Sequence, residues 1–486
     1  MIISKQTPSR TRHTKATKKP ILRLGNRKWI GRALGGIVAI TYIAALYVAI
    51  TTNLLPPKYA ALIVSASALI VAGTVFADLK SNWRAIGKSI ALVLVSLLVV
   101  LANGYAYSVS KSTNDFLVNV QGNQYTSESY SIVTKRDYPV TLQHNNAIGY
   151  LADDPNNTLV LKTTQARTNA GPHPSAELAS LTLALDDRTV DTLVLRSSLL
   201  PLLGENYPSF YQGLKVLDRF SVKVASHTKK TDITKPYAIF IGGIDTYGEI
   251  KSVSRSDVNI VAVINPRTHK VLLVNTPRDY YVQLHGTSGI RDKLTHAGIY
   301  GIDMSRQTLE DLYNVPIEYD VRVNFTSLLS IIDAIGGVSV YSDNAFTSWK
   351  YTFVQGYNQL DSKQALEFSR NRKAFADGDR TRGKNQQRVI EAIINKLNNP
   401  NQLLKYQAIT RSLGDSFQTN ASKDEIAALL KQQMNTLGGW KVESVSAEGA
   451  DSSNVTYSGG SMQLYVMEPN SDSLSTVRAK IQTYIR

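Results

Sequence analysis

Six basic side chains crowd one short stretch of the chain. Between Glu367 and Gln387, in EFSRNRKAFADGDRTRGKNQQ, lie Arg370, Arg372, Lys373, Arg380, Arg382 and Lys384, set against Glu367, Asp377 and Asp379. Such a cluster grips a nucleic acid, decorates a solvated helix, or holds phosphates. Spacing helps to separate these readings. In LDSKQALEFSRNR, Asp361 can cap a helix with Gln364 as its capping-box partner, and that helix delivers Arg370 and Arg372 at its C-terminal end. After AFADGD a second helix is predicted from Arg380 or Thr381 to Leu397, with Val389, Ile390, Ile393 and Leu397 at helical spacing. Arg382 and Gln386 stand at i and i+4, one turn before Val389 and Ile390 on broadly the same face. They therefore point inward at a helix N-terminus. Free backbone N–H groups, the positive end of the helix dipole and an arginine fork make a prepared anion site. Pairing with Asp377 and Asp379 accounts for one or two arginines, but less easily for Arg278, Arg370, Arg372 and Arg382 together. Lys373, Arg380 and Lys384 read as solvated.

A second set of chemical residues lies upstream. YAIFIGGID, DVNIVAVINP and KVLLVNTPRD read as three strands, the last two joined by the turn NPRTHK. If each strand simply returns on the one before, Asp245, Asp257 and Arg278 meet at one sheet edge. Paired aspartates without His or Cys companions are poor zinc ligands but suit a hard cation, magnesium or alternatively manganese. Taken alone, Asp245 and Asp257 read more simply as caps of loops and turns. Together with the arginines they suggest a pyrophosphate with its Mg²⁺.

The elements that must position these groups belong to an α/β layered domain, residues 236–486. The helices SRQTLEDLY and TSLLSIIDAIGG, the latter with Thr326 as expected N-cap, flank the strand VPIEYDVRVNF. Residues 111–235 read as a smaller α+β accessory domain. YSIVTK, NTLVLK, VDTLVL and FSVKV are its expected strands, SAELASLTLAL its helix, and HTKKTDITKP its boundary.

Charge divides unevenly along the chain. Residues 1–105 carry 14 Lys and Arg and one acid, Asp78, a net of +13. The other 381 residues carry 40 basic and 37 acidic groups, a net of only +3. The apolar runs Ala33–Pro57, Tyr59–Ala77 and Ser89–Ser110 each suffice to cross a hydrocarbon core of about 30 Å. This gives a basic tail at 1–32 and three transmembrane helices within 33–110. Basic residues concentrate in the tail and in the second loop, DLKSNWRAIGK, which places both in the cytoplasm and everything after Ser110 outside. DNA is then not an expected partner of the C-terminal region. The tail itself reads as a topology determinant touching anionic lipid, or as a cytoplasmic DNA or protein contact. With no cysteine in the chain, disulfides, thiol nucleophiles and Cys-ligated metals are excluded.

The ordered motifs GIDTYG, SRSDVNI, TPRD, KLTHAG, VRVNF, SRNR and DGDRTRGKNQQ resemble the LytR–CpsA–Psr family over about Tyr237–Leu397. The three spans and accessory module resemble its capsule-locus, CpsA-type members. The resemblance implies a transferase that moves a capsular or other glycopolymer from undecaprenyl pyrophosphate to peptidoglycan through a phosphodiester. It implies Asp245 and Asp257 as magnesium ligands, Arg278, Arg370 and Arg372 on the phosphates, and Asp379 and Arg382 from a DxxR element. Lys293 and Arg255 are further phosphate-binding candidates, and Asp379 is the expected general base. Asn385 stands where the family commonly has arginine, with Gln386 and Gln387 kept; Lys384 is a partial substitute. Phe325, Leu328 and Ile332 would line a groove for the lipid tail, although the same stripe also reads as core. Capsule synthesis machinery is an implied partner.

Three other activities fit parts of this pattern: a polyprenyl-pyrophosphate phosphatase, a lipid-pyrophosphate scaffold without turnover, and a membrane-bound regulator binding DNA through the tail.

Overall fold

The computed structural model describes residues 28–53, 57–81, 86–120, 125–225, 231–244, 254–375, 378–399, 417–435 and 439–486. The chain forms two compact units, Met1–Lys111 and Ser112–Arg486. The first is helical: α1 (Lys28–Thr52), α2 (Pro57–Lys80) and most of α3 (Ile86–Val120) are each long and apolar enough to cross a membrane. Polar groups within these helices pair with one another. Ser96 donates to the buried Asp78 at 2.9 Å, and Asn103 donates to Thr41 at 3.1 Å. Hydrocarbon offers no water, so cross-helix pairing is how such groups persist there.

The second unit contains two larger sheets. In the first, β1 (Tyr125–Lys135) pairs antiparallel with β4 (Thr192–Arg196) and β5 (Leu214–Ala225). β2 (Ala147–Leu151) runs parallel to β3 (Gly171–Ser175) and β4, giving the order β3-β2-β4-β1-β5. NTLVLK, expected as a strand, instead forms helix α4 (Asn157–Gln165). Val160 and Thr164 are its buried positions, one helical turn apart, which an alternating strand pattern does not produce. SAELASLTLAL supplies α5 (Leu178–Asp186), and α6 (Leu199–Asn206) and α7 (Pro208–Gln212) precede β5.

The second sheet is mixed and six-stranded. It uses β6 (Tyr237–Gly243), β7 (Val258–Asn265), β8 (Lys270–Asn275), β11 (Tyr319–Val323), β16 (Phe417–Thr419) and β17 (Lys441–Ser446), in the order β16-β11-β6-β7-β8-β17. The short pair β9 (Tyr281–Val282) and β10 (Asp292–Lys293) stands beside it, followed by α8 (Leu294–Ala297) and α9 (Ile302–Tyr313). β11 is parallel to β6 and β17 to β8, while β6, β7 and β8 are antiparallel neighbours.

The apolar runs of β7 and β8 are buried on both faces because helices cover both, the α-β-α layering expected. Phe240, Val261, Val263, Leu272 and Val274 face one core, which extends without interruption to Val133, Leu151, Leu193 and Leu195 of the first sheet. The segment read as an accessory module thus has its own sheet but shares a core with the larger one. Ile260, Ala262 and Leu273 face the opposite side, against Ile390 and Ile394.

Those last two residues lie on α12 (Gly378–Leu397), which belongs with α10 (Phe325–Ile335) and α11 (Ser362–Arg370). A third core joins these helices to β12 (Val338–Ser342), β13 (Phe346–Ser348), β14 (Tyr351–Phe353) and β15 (Gly356–Leu360). Asp361 caps α11 and forms the expected reciprocal capping box with Gln364. α10 departs slightly from expectation. Its cap is Asn324, two residues before Thr326, because Asn324 and Ser327 exchange side-chain and backbone hydrogen bonds.

Candidate active site

Strand register brings the first chemical groups together. Gly243 pairs with Val258, and Ile260 with Asn275, so the end of β6, the start of β7 and the segment after β8 share one sheet edge. Asp257 precedes β7 there, and Arg278 reaches back so that its Nη1 donates to Asp257 Oδ1 at 2.7 Å. Asp245 lies outside the described residues, while its neighbour Ile244 is part of the same edge.

The two arginine-bearing helices close a pocket over this edge, with about 790 Å³ of empty space. Asp257, Arg370, Arg372, Arg382, Gln386, Ser369 and Asn324 supply its polar lining. Ile244, Val258, Val323, Phe325, Leu328, Val389 and Ile390 supply its apolar lining. Arg382, Gln386, Val389 and Ile390 all reach the pocket from α12, as their spacing predicts. The buried Arg382 sits one turn into that helix, in reach of the dipole's positive end. Gly383 of α12 lies against Asn275: a Cβ there would be 2.7 Å from Asn275 Nδ2, so a larger residue would need that side chain to shift.

Other predicted residues are placed differently. Ile332 is fully buried in the third core, away from the pocket wall, since it stands one turn beyond Leu328 where α10 packs inward. Arg255 does not line the pocket and ion-pairs with Glu205 of α6. Lys293 donates to Asp279 at 2.8 Å, and Asp279 Oδ2 is 3.6 Å from Arg278 Nε, so among the described residues Lys293 reaches the site through that chain. Asp379 belongs to the first turn of α12; its side chain is outside the description.

The two motif positions beside Gln386 face elsewhere. Asn385 is buried and donates to the Phe368 carbonyl, so the position does not present a side chain to the pocket. Gln387 donates to the carbonyls of Leu273 at 2.8 Å and Val445 at 3.0 Å, bridging α12 to β8 and β17. On β11, three residues before the pocket-lining Val323, burial pushes the Asp320 carboxyl up to about 7; the nearby Arg306 and Arg322 only partly oppose this.

The sequence reading omits Ser369, Asn324 and the small apolar residues of the strand ends from the lining. It also takes only Lys293 from KLTHAG. Thr295 of that motif donates to Asp257 Oδ1 at 3.2 Å, a contact signalled only by the motif's place in the ordered series.

Among the described residues no cluster of three or more His, Asp or Glu could hold a metal. A magnesium-type cation does not need one, since one or two carboxylates suffice when waters and phosphate oxygens complete its octahedron. Asp257 fits that role: among the described residues its hydrogen bonds from Arg278 and Thr295 both fall on Oδ1, leaving Oδ2 for a cation. One buried and two more accessible arginines beside a carboxylate, continuous with an apolar wall, form an arrangement that can hold a phosphorylated amphiphile.

Comparison with known proteins shows the family. Residues 211–479 match the model of the LytR_cpsA_psr family, and the chain belongs to the LytR–CpsA–Psr family. It is 31% identical over 265 residues to a polyisoprenyl-teichoic acid–peptidoglycan teichoic acid transferase TagU of Enterococcus faecalis, covering 53% of this chain and 86% of the relative. It is 35% identical over 211 residues to the TagU of Bacillus mycoides, covering 43% and 68%. The crystal structure of B. subtilis TagV aligns with 52% of this chain and 98% of that one, at 27% identity and a TM-score of 0.44.

Proposed function

We propose that this protein is a membrane-anchored phosphotransferase. It moves a glycopolymer, of capsular or teichoic-acid type, from undecaprenyl pyrophosphate to a hydroxyl of peptidoglycan. The observation that carries the proposal is the union of two chemistries in one pocket. Arg370, Arg372, Arg382 and Asp257 stand at its polar part, and Phe325, Leu328, Val389 and Ile390 on its apolar wall. A lipid pyrophosphate has that same division. The TagU relatives, named as transferases of polyisoprenyl-linked teichoic acid to peptidoglycan, support the donor and acceptor classes.

In the reaction the acceptor hydroxyl oxygen attacks the phosphorus that bears the polymer. The bond from that phosphorus to the bridging oxygen breaks, and polyprenyl monophosphate leaves with the bond's electron pair. The polymer is now joined to peptidoglycan through a phosphodiester. Arg370, Arg372 and Arg382 neutralise charge on the pyrophosphate and on the departing phosphate, the main need of phosphoryl transfer. Arg278 holds Asp257 in place and joins the phosphate contacts when ligand enters. Asp379, in the first turn of α12, takes the hydroxyl proton; turnover undiminished in Asp379→Asn would remove that role. A bound Mg²⁺, with Asp257 and Asp245 as its protein ligands, would supply further charge neutralisation.

The positive-inside distribution supports an extracellular second unit, where lipid-linked polymer and peptidoglycan meet. The capsule machinery would deliver the donor. Protein purified from its native membrane should carry polyprenyl pyrophosphate detectable by mass measurement. Its absence from Mg²⁺-supplemented preparations would count against the site.

A further inference from the structure

We propose that Thr295 is the positioning residue of this site, fastening the loops of Asp257 and Arg278 into one unit and orienting the Asp257 carboxylate. The inference rests on the lipid-pyrophosphate reading and assigns a role to a residue outside the pocket lining.

Thr295 is buried and uses three of its polar groups on the two loops. Its hydroxyl donates to Asp257 Oδ1 at 3.2 Å. Its backbone N–H donates to the Arg278 carbonyl at 2.8 Å, and its carbonyl accepts from Ser256 N–H at 3.0 Å. Asp257 N–H in turn donates to the Gly243 carbonyl at 2.8 Å. One residue therefore spans from the segment before β7 to the segment after β8.

The segment around Thr295 is itself held rigidly. His296 Nδ1 lies 2.6 Å from Asp292 Oδ1, and Asp292 Oδ2 accepts from Ser458 N–H at 2.9 Å. Gly298 lets residues 254–256 lie directly against it, since a Cβ there would be 2.5 Å from Ser256 N and 2.6 Å from the Ser254 carbonyl oxygen.

The consequence is asymmetric use of the carboxylate. Arg278 Nη1 and Thr295 Oγ1 both donate to Oδ1, which leaves Oδ2 for a cation or phosphate-bound water. Without the hydroxyl, Arg278 is among the described residues the side chain left to hold the Asp257 carboxylate, and Arg278 is also drawn to the ligand's phosphates. Thr295 keeps the carboxylate in register while Arg278 changes partner. Threonine is well suited, because β-branching restricts χ1.

The test uses the full chain in detergent with farnesyl pyrophosphate as probe, bound across a Mg²⁺ titration, beside thermal melting. Thr295→Val keeps the shape and removes the hydroxyl; Thr295→Ser restores it. In Thr295→Val the Mg²⁺ concentration for half-maximal binding should rise about 10-fold or more, the usual cost of losing an outer-shell partner. Thr295→Ser should stay within about twofold of wild type on that outer-shell scale. A wild-type Mg²⁺ response in Thr295→Val overturns the inference while leaving the site reading intact. Equal losses in Val and Ser variants also overturn it, because packing and not the hydroxyl would then matter. Wild-type protein whose binding ignores Mg²⁺ overturns the inference together with the cation part of the site reading.

Discussion

The guanidinium of Arg370 lies 4.3 Å above the ring of Phe325, and both residues line the pocket. Arg370 ends α11 and Phe325 begins α10, so this contact joins two helix termini where polar lining meets apolar wall. A cation over an aromatic face contributes about 0.5–2 kcal/mol, the larger value when desolvated. Phe325→Leu should keep the apolar wall, lose the ring, and weaken lipid-pyrophosphate binding by roughly 2- to 30-fold on that range. Phe325→Ala should weaken it further, and more so for long-chain than for short-chain lipids. Calorimetric titration with both chain lengths checks this; equal losses for both would remove Phe325 from the lipid wall.

Arg382 is the most deeply buried arginine of the pocket, and α12 delivers it one turn from the helix start. Arg382→Ala should lower turnover about 10²–10³-fold, the scale of losing one preorganised donor to a developing oxyanion. Arg382→Lys should recover little of it, because an ammonium lacks the planar fork. Single-turnover assays on folded protein distinguish this from lost stability.

Gln387 belongs to the same motif but faces the sheet. Its amide holds the carbonyls of Leu273 and Val445, so Gln387→Leu leaves the buried Leu273 acceptor and the half-buried Val445 acceptor without that donor. Stability should fall by about 1–3 kcal/mol, with turnover per folded molecule retained. Denaturant unfolding and active-site-normalised rates check the separation; a lost rate at unchanged stability would place Gln387 in the chemistry.

Burial raises the Asp320 carboxyl to about 7, above its ordinary 3.8. The folded chain therefore holds this proton more tightly than the unfolded one. The associated stability is fully present below about pH 4 and is lost as pH rises toward and through 7, worth roughly 4 kcal/mol at most. Asp320→Asn should melt close to wild type near pH 4 and increasingly above it as pH rises to 8. Melting difference curves test the sign: an advantage for Asn that shrinks with rising pH contradicts it.

Much of this site is legible in sequence because helical spacing is local. Asp361 and Gln364 specify their capping box within four positions, and Arg382, Gln386, Val389 and Ile390 follow one helix face. Strand order was also accessible, since the short NPRTHK turn leaves β8 no choice but to return beside β7. Contacts made by tertiary packing are not local and escape such reading. Arg255 turns to Glu205, fifty positions earlier, and Thr295 meets Asp257 across thirty-eight. Gln387 looks equivalent to Gln386, yet a rotation of about 100° per residue carries it to the sheet side. The segment NTLVLK has strand-like composition, but α4, the helix that contains it, buries only Val160 and Thr164, one turn apart.

Transfer itself is measured by incubating the purified full chain with a labelled lipid-pyrophosphate-linked glycopolymer, with and without peptidoglycan. Polymer should become covalently attached to peptidoglycan through a phosphodiester, with one polyprenyl monophosphate released per attachment and little release without acceptor. Monophosphate release at the same rate with or without peptidoglycan, and no attached polymer, would contradict transfer and make the protein a phosphatase.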